Sequence, residues 1–320
     1  MVLASLATVV PMLCFLVFAS PHPAATVVLT ALTMLAMLSL WTGGLSDPGI
    51  LPRQPPPPVQ GPPGMVVNRN RTAVVAIPRP QGSDQPTEVT VDRKWCYTCN
   101  LLRPPRASHC PYCDVCVERH DHHCPWFGTC VGRRNYGLFY LFVNSITVLG
   151  VAVTAAAVWS MVAAAQAVKA EGVLQSNNAA FWEAARRQHY IAVVVGIYAV
   201  CILTCVGGLC GYHTRIVCEN RTTHEDMRLH SRVRARPSIW NRGVVGNCRE
   251  LVCAPRGPSL LRRALAGADG VALTAAEFDV APTVGAPTAE APEMIPLPPA
   301  PVDNEPSPRP VETPVEDPEI

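Results

Sequence analysis

Long apolar runs alternate with polar segments along the chain, and three runs are free of charge over unusual lengths. Met1–Ser46, Asn135–Val168 and Gln188–Thr214 contain no Asp, Glu, Lys or Arg. About 20 apolar residues suffice for a helix to cross the hydrocarbon core of a bilayer. The first run is long enough for two crossings broken at Pro21-His22-Pro23, so four helices are predicted, near 2–20, 24–42, 138–165 and 189–214. A cleaved leader is the alternative for the first of them. It would lack the usual basic n-region, and another apolar segment follows it at once. A composition of 49% hydrophobic and 16% charged residues over 320 positions also fits a membrane protein.

Charge sets the expected orientation. Segment 43–134 carries eleven Lys and Arg and segment 215–320 carries twelve, whereas the connection 166–188 has only Lys169, Arg186 and Arg187. The positive-inside rule therefore puts both termini, the 43–134 loop and the tail in the cytosol, with 166–188 lumenal. From Leu51 to about Pro86 the chain is rich in Pro and Gln and reads as a tether. From about 265 onward, Pro, Ala, Thr and Glu predominate, and disorder is expected. The predicted spans contain no Asp or Glu to pass an ion, which argues against a metal transporter. No nucleic-acid partner is expected.

Between tether and third helix, seven cysteines and four histidines crowd into the 35 residues from Cys96 to Cys130. In a reducing compartment such a cluster points to metal binding or catalysis rather than disulfides. The order is Cys96-x2-Cys99-x9-His109-Cys110-x2-Cys113-x2-Cys116, then His120, His122, His123, Cys124 and Cys130. Pairs at C-x2-C spacing suit tetrahedral zinc, and two zinc ions need eight of these eleven groups. Spacing does not decide which three remain free. Structural zinc alone is one reading. The other is a Cys nucleophile with a His base oriented by a carboxylate, for which Asp121, His122 and Cys124 are the nearest set.

Elsewhere, Cys14, Cys201, Cys205 and Cys210 lie in apolar runs and read as packing residues, while Cys218, Cys248 and Cys253 are candidates for acylation of the chain itself. The sequons at Asn70 and Asn220 fall on the cytosolic side and are expected to carry no sugar.

The residues from Lys94 to Phe142 resemble the cysteine-rich domain of the DHHC protein S-acyltransferases (palmitoyltransferases). The likeness rests on Arg103-Pro104-Pro105-Arg106-Ala107-Ser108-His109-Cys110, Asp121-His122-His123-Cys124-Pro125-Trp126, and Cys130-Val131-Gly132 followed by Asn135-Tyr136. Asp47-Pro48-Gly49 and Thr222-Thr223-His224-Glu225 are similar to the family's flanking DPG and TTxE motifs, and Asn241, Gly243 and Asn247 to its C-terminal stretch. For the TTxE-like residues the likeness implies a contact to the active-site loop, and a loop or helix cap is the plain alternative.

The resemblance implies an all-α integral membrane protein with four transmembrane helices, a cytosolic, loop-rich, zinc-stapled cysteine-rich domain and a disordered C-terminal tail. Its expected parts are helices 1 and 2 in 1–46, a DPG motif and Pro-rich linker in 47–90, the zinc domain in 91–136, and helices 3 and 4 in 137–216. A cytosolic TTxE and C-terminal region in 217–258 and a Pro-rich acidic tail in 259–320 complete the chain. One structural zinc would be held by Cys96, Cys99, His109 and Cys116, the other by Cys110, Cys113, His123 and Cys130. Cys124 would be the nucleophile, His122 the base and Asp121 the group that orients it, with Arg103 and Arg106 near the headgroup of the acyl-CoA co-substrate. Expected partners are membrane lipid and proteins with membrane-proximal cysteines, at a Golgi or endoplasmic reticulum membrane. The sequence looks most like the branch that includes the Ras acyltransferases, which work with a small accessory subunit. Two residues depart from the family pattern, Thr129 where Asn is usual and His120 where Phe or Met is usual. They motivate the rival expectation of a zinc-stabilised membrane adaptor without catalytic activity.

Overall fold

The computed structural model describes residues 1–18, 23–55, 65–67, 71–76, 88–170, 182–183, 190–228, 238–252, 259–261 and 294–296. The expected tail disorder, Asn70 and Cys253 lie outside them. Contacts divide the chain into two units. The larger comprises Met1–Pro56 and Asn70–Ala286, and the smaller Pro57–Arg69 and Pro287–Ile320.

The larger unit begins with helix α1 (Val2–Phe18) and helix α2 (Pro23–Gly44). Short strands follow: β1 (Ile50–Leu51), then, beyond β2 of the smaller unit (Met65–Val67), β3 (Arg71–Ala76) and β4 (Glu88–Arg93). The cysteine-rich segment adds β5 (Trp95–Cys96), β6 (Leu101–Leu102), β7 (Ser108–Cys110), β8 (Val115–Val117), β9 (His122–Cys124) and β10 (Thr129–Val131). Helices α3 (Tyr136–Ala170) and α4 (Tyr190–Glu219) come next, then the short α5 (Thr223–Arg228) and α6 (Val244–Leu251). In the smaller unit, β2 pairs antiparallel with β11 (Met294–Pro296).

Among the described residues, three helices, α2, α3 and α4, are long and apolar enough to cross a membrane. Helix α1, at 17 residues, is shorter. Helix α3 packs against both α2 and α4, and buries Ile146, Leu149, Val153 and Ala157 against Leu29, Ala36, Val195 and Ala199. Their outer faces leave large apolar side chains exposed, among them Met34, Leu38, Val158, Trp159, Val194 and Ile197. A surface of that kind suits lipid rather than water. Hydroxyls inside the spans bond their own helix: Thr33 donates to the Leu29 carbonyl at 2.8 Å, and Thr154 to that of Gly150 at 2.8 Å. Such bonds satisfy polar groups where no water is present.

One stretch differs from the expected tether. Arg71–Ala76 pairs antiparallel with Glu88–Arg93. The Ala-Val-Val-Ala core of β3 has the β-branched content that favours a ladder, and the Pro-rich composition around it masks that signal.

The cysteine-rich segment is fastened to the helices through backbone contacts. Strand β1 pairs with β8, which also pairs with β7. The Asp47 carboxylate accepts from the Gly49 and Ile50 amides at 2.8 and 2.9 Å, closing a turn that leads from α2 into β1. Buried Asn135 completes the junction with α3. Its side-chain amide donates to the carbonyls of Cys130 and Gly43, at 2.9 and 3.3 Å, and its oxygen accepts from the Gly132 amide at 2.9 Å. Gly132 passes so close to its neighbours that a Cβ there would meet Val117 Cγ1 at 2.5 Å and the Pro48 carbonyl at 2.6 Å. Gly132→Ala is therefore expected to push the DPG turn away from β8. A thermal melt of the purified protein in detergent should show destabilisation by about 1–3 kcal/mol, the usual cost of overpacking. An unchanged melt would refute this role for the junction.

Candidate active site and metal centres

Strand alternation sorts the ligands. Successive side chains of a strand point to opposite faces, so in β7 His109 and Cys110 diverge into different clusters. Cys96, Cys99, His109 and Cys116 form one, and Cys110, Cys113, His123 and Cys130 the other, each with ligand atoms within 4.8 Å of one another. His109 Nδ1 lies 3.6, 3.5 and 3.9 Å from the sulfurs of Cys96, Cys99 and Cys116. His123 Nδ1 lies 3.9, 3.3 and 4.0 Å from those of Cys110, Cys113 and Cys130. A tetrahedral zinc with legs of about 2.0–2.3 Å requires edges of roughly 3.5 Å, so both sets fit. Burial, reinforced by the neighbouring thiols, pushes the Cys116 and Cys130 thiols up. A doubly charged cation reverses that effect and holds the thiolates.

The same alternation in β9 turns His123 to its cluster and leaves His122 and Cys124 on the opposite face. β9 pairs with β10 in the register His122↔Val131, His123↔Cys130 and Cys124↔Thr129. Thr129 thus stands across the ladder from Cys124. His122 Nδ1 and Asp121 Oδ2 are 2.7 Å apart, and the His122 side chain also hydrogen-bonds Cys124. Burial alone would raise the Cys124 thiol. The His122 hydrogen bond outweighs it, helped by the Phe127 backbone amide and the charge of His122, and the thiol is lowered. Burial opposes the charged form of His122 too, yet Asp121 and Cys124 raise it to about 9. Asp121 is held below its ordinary value, because the bonds and charge of His122 and the Thr223 amide outweigh its burial. The site therefore favours a thiolate facing an imidazolium.

Three further groups complete the site; a contact to this loop was expected of the TTxE-like residues, whereas His213 and Phe139 were assigned no role from sequence. The Thr223 amide, at the start of α5, donates to Asp121 Oδ1 at 2.9 Å. His213 of α4 lies with its ring 5.9 Å from that of His122, and its Nδ1 is 3.1 Å from the Tyr136 hydroxyl. Phe139 meets the His122 ring edge-on at 5.0 Å. A buried histidine near the end of an otherwise uncharged apolar run was the available signal for His213.

His122 and Cys124 also line an apolar cavity of about 340 Å³, with walls that include Met12 of α1, Ile146 and Val153 of α3, and Ala199 of α4. Its lining on α3 runs from Phe139 to Val153, roughly 20 Å along the helix at 1.5 Å per residue.

Arg103 and Arg106 are in different surroundings. Arg103 is partly exposed and its Nε donates to the Lys94 carbonyl at 3.3 Å. Arg106 instead turns inward: Nε and Nη2 donate to the two Glu225 carboxylate oxygens at 2.7 and 2.8 Å, and Nη1 donates to Asn220 Oδ1 at 2.9 Å. Arg106, expected near the CoA headgroup, thus has its fork engaged by a half-buried carboxylate and a buried amide. Asn220, the other end of this network, is itself fully buried, which leaves its sequon inaccessible.

Comparison with known proteins places a family match over the same segment. Residues 89–230 match the family model described as DHHC palmitoyltransferase. That segment is therefore a domain of the DHHC family. It is 35% identical over 271 residues to protein S-acyltransferase 8 of Arabidopsis thaliana, covering 80% of this chain and 64% of that protein. It is 34% identical over 253 residues to palmitoyltransferase ZDHHC9 of Homo sapiens, covering 75% and 64%, and 34% identical over 247 residues to palmitoyltransferase ZDHHC14 of Homo sapiens, covering 75% and 48%. The chain thus spans a little under two thirds of the length of the first two of these relatives, and about half of the third.

His120 is buried beside the site with neither ring nitrogen hydrogen-bonded to the described residues, and its ring meets that of His224 edge-on at 5.6 Å. Burial, then the neighbouring His224, lowers it to about 4. The folded protein keeps this imidazole neutral while the unfolded chain protonates near pH 6.5, so its contribution to stability is lost as pH falls from about 6.5 toward 4. His120→Phe removes both the unpaired nitrogens and this acid penalty. Its melting temperature is expected to exceed that of the wild type, by more at pH 5 than at pH 7.5. An equal gain at both pH values would contradict the assignment.

Proposed function

We propose that the protein is an S-acyltransferase that moves a long-chain acyl group, palmitoyl being the reference case, from acyl-CoA to cysteine thiols of cytosolic or membrane proteins. The observation that carries this reading is the Cys124–His122–Asp121 row opening into an apolar cavity between helices. In the first step the Cys124 thiolate attacks the acyl carbonyl, the carbon–sulfur bond to CoA breaks, and the departing CoA thiolate takes the His122 proton. In the second, a substrate thiol gives its proton to His122 and attacks the Cys124 thioester, releasing the Cys124 thiolate. Zinc at the two Cys3His clusters is structural and takes no part in either step.

Cys96, Cys99, His109 and Cys116 hold one zinc in this reading, and Cys110, Cys113, His123 and Cys130 the other. Arg103 supplies the positive charge for the CoA phosphates. Helix α1 serves as the fourth crossing: its 17 residues extend roughly 26 Å, slightly less than the hydrocarbon thickness of about 30 Å. Both termini and the cysteine-rich domain then face the cytosol of a Golgi or endoplasmic reticulum membrane. Substrate proteins present membrane-proximal cysteines, and a small accessory subunit is a further candidate partner.

Purified protein given labelled palmitoyl-CoA should acquire label that neutral hydroxylamine releases, and Cys124→Ser should acquire none. Unlabelled wild type that retains two zinc ions per chain would favour the adaptor instead. The cavity supplies a second expectation, because each methylene buried contributes about 0.8 kcal/mol. Ala199→Phe, which fills part of the wall, should lower labelling by palmitoyl-CoA relative to a shorter acyl-CoA, and an unchanged ratio would show that the chain binds elsewhere.

A further inference from the structure

Arg106 occupies an unusual position for a surface-loop arginine. Its backbone is left-handed, with φ of 66°, and its side chain is only 7% exposed. The guanidinium lies 5.3 Å from the Trp240 ring centre, and Nη2 donates to the Asn220 carbonyl at 3.1 Å in addition to the contacts described above. A side chain held by a bidentate carboxylate, an amide, a carbonyl and an aromatic ring has little freedom left. Retaining a buried charge and a strained backbone at such a place calls for a reason beyond packing.

The reason lies in what Glu225 does besides pairing with Arg106. Glu225 closes a reciprocal capping box at the start of α5: its amide donates to Thr222 Oγ1 at 3.1 Å, and its Oε2 accepts from the Thr222 amide at 2.9 Å. That box fixes the direction of the next amide, Thr223 N–H, an otherwise unpaired donor of the first helical turn. This is the donor to Asp121 Oδ1, while Asp121 Oδ2 holds His122. Arg106 also touches the same loop directly, its carbonyl accepting from the His120 amide at 3.2 Å, one residue before Asp121. The arginine therefore grips the catalytic loop from behind and, 119 positions along the chain at Glu225, the helix start that faces it.

We infer that Arg106 is a positioning residue for acyl transfer: through Glu225 and the Thr222–Thr223 turn it fixes the orientation of Asp121, and so of the His122 base, without touching acyl-CoA. This inference rests on the S-acyltransferase reading above. Geometry of this kind acts on the chemical step, because a base displaced by a fraction of an ångström loses rate before it loses its fold. A contact to the CoA headgroup would act on the acyl-CoA concentration needed instead.

The test compares full-length wild type with Arg106→Lys, Glu225→Gln and the double variant in detergent, reading the autoacylation rate against palmitoyl-CoA concentration and the zinc content per chain. Lys keeps the charge without the fork, and Gln keeps the size and the capping acceptor without the charge. Each single variant is expected to lose about tenfold or more in maximal rate, with half-saturating palmitoyl-CoA unchanged and two zinc ions retained. The double variant should be little slower than the slower single one, as residues acting through one link are non-additive. If Arg106→Lys loses zinc, Glu225→Gln carries the comparison. A raised half-saturating concentration at full maximal rate, unchanged kinetics in both variants, or loss of zinc from both would overturn the inference. Absence of acylation in the wild type would instead remove the S-acyltransferase reading on which it rests.

Discussion

The interleaving of the two Cys3His clusters is the constraint on which the site depends. His109 and Cys110 are adjacent in sequence yet serve different clusters, so neither set can close unless β7 is extended and the loop doubles back twice. The paired strands here are only two or three residues long and could not stand alone in water. Metal–ligand bonds supply the folding free energy that such ladders lack. Once the second cluster fixes His123, the pleat leaves no choice about where His122 and Cys124 point.

The Asp121–His122–Cys124 row is then assembled by a second system with different physics. Asp121 is almost wholly buried, and a carboxylate in that setting persists only if both oxygens are paired. One oxygen faces the imidazole of its neighbour. The other meets a peptide amide more than a hundred residues away, beyond two long helices. Asn220 makes that meeting possible: it ends α4 in the left-handed conformation, φ 50°, and turns the chain back toward the cysteine-rich loop. Asn247 braces the same corner by donating to the Cys218 carbonyl at 2.7 Å.

What the sequence discloses divides along the same line. That two zinc ions are held is legible because zinc imposes a local spacing rule, while the division of the ligands into two sets came only with the family likeness; the spans are legible because the hydrocarbon core imposes a length and excludes charge. Helix ends are less so: α3 starts at Tyr136 and α4 continues to Glu219, past the last uncharged residue, because tertiary caps set the ends rather than hydropathy. The Thr222–Glu225 motif has two sequence readings, helix cap and contact to the active-site loop, and the structure makes both true at once. The ion pair of Arg106 is out of reach of local reasoning. Nothing near it in sequence reveals a carboxylate brought in from α5, and a basic residue beside a membrane has several plausible partners. The β3–β4 ladder was hidden for a simpler reason, a short strand enclosed in proline-rich chain.

Helix α3 begins six residues after Cys130, with Asn135 tying the junction to both α2 and β10. The Cys124 sulfur therefore has no tether of its own and rides on the end of a 35-residue rod roughly 52 Å long, well beyond the hydrocarbon thickness of about 30 Å. A rod of that excess length answers a thinner or thicker bilayer by tilting. In the S-acyltransferase reading proposed above, the height of Cys124 above the headgroups, and with it the set of thiols within reach, is thereby tied to the thickness of whichever membrane surrounds the protein.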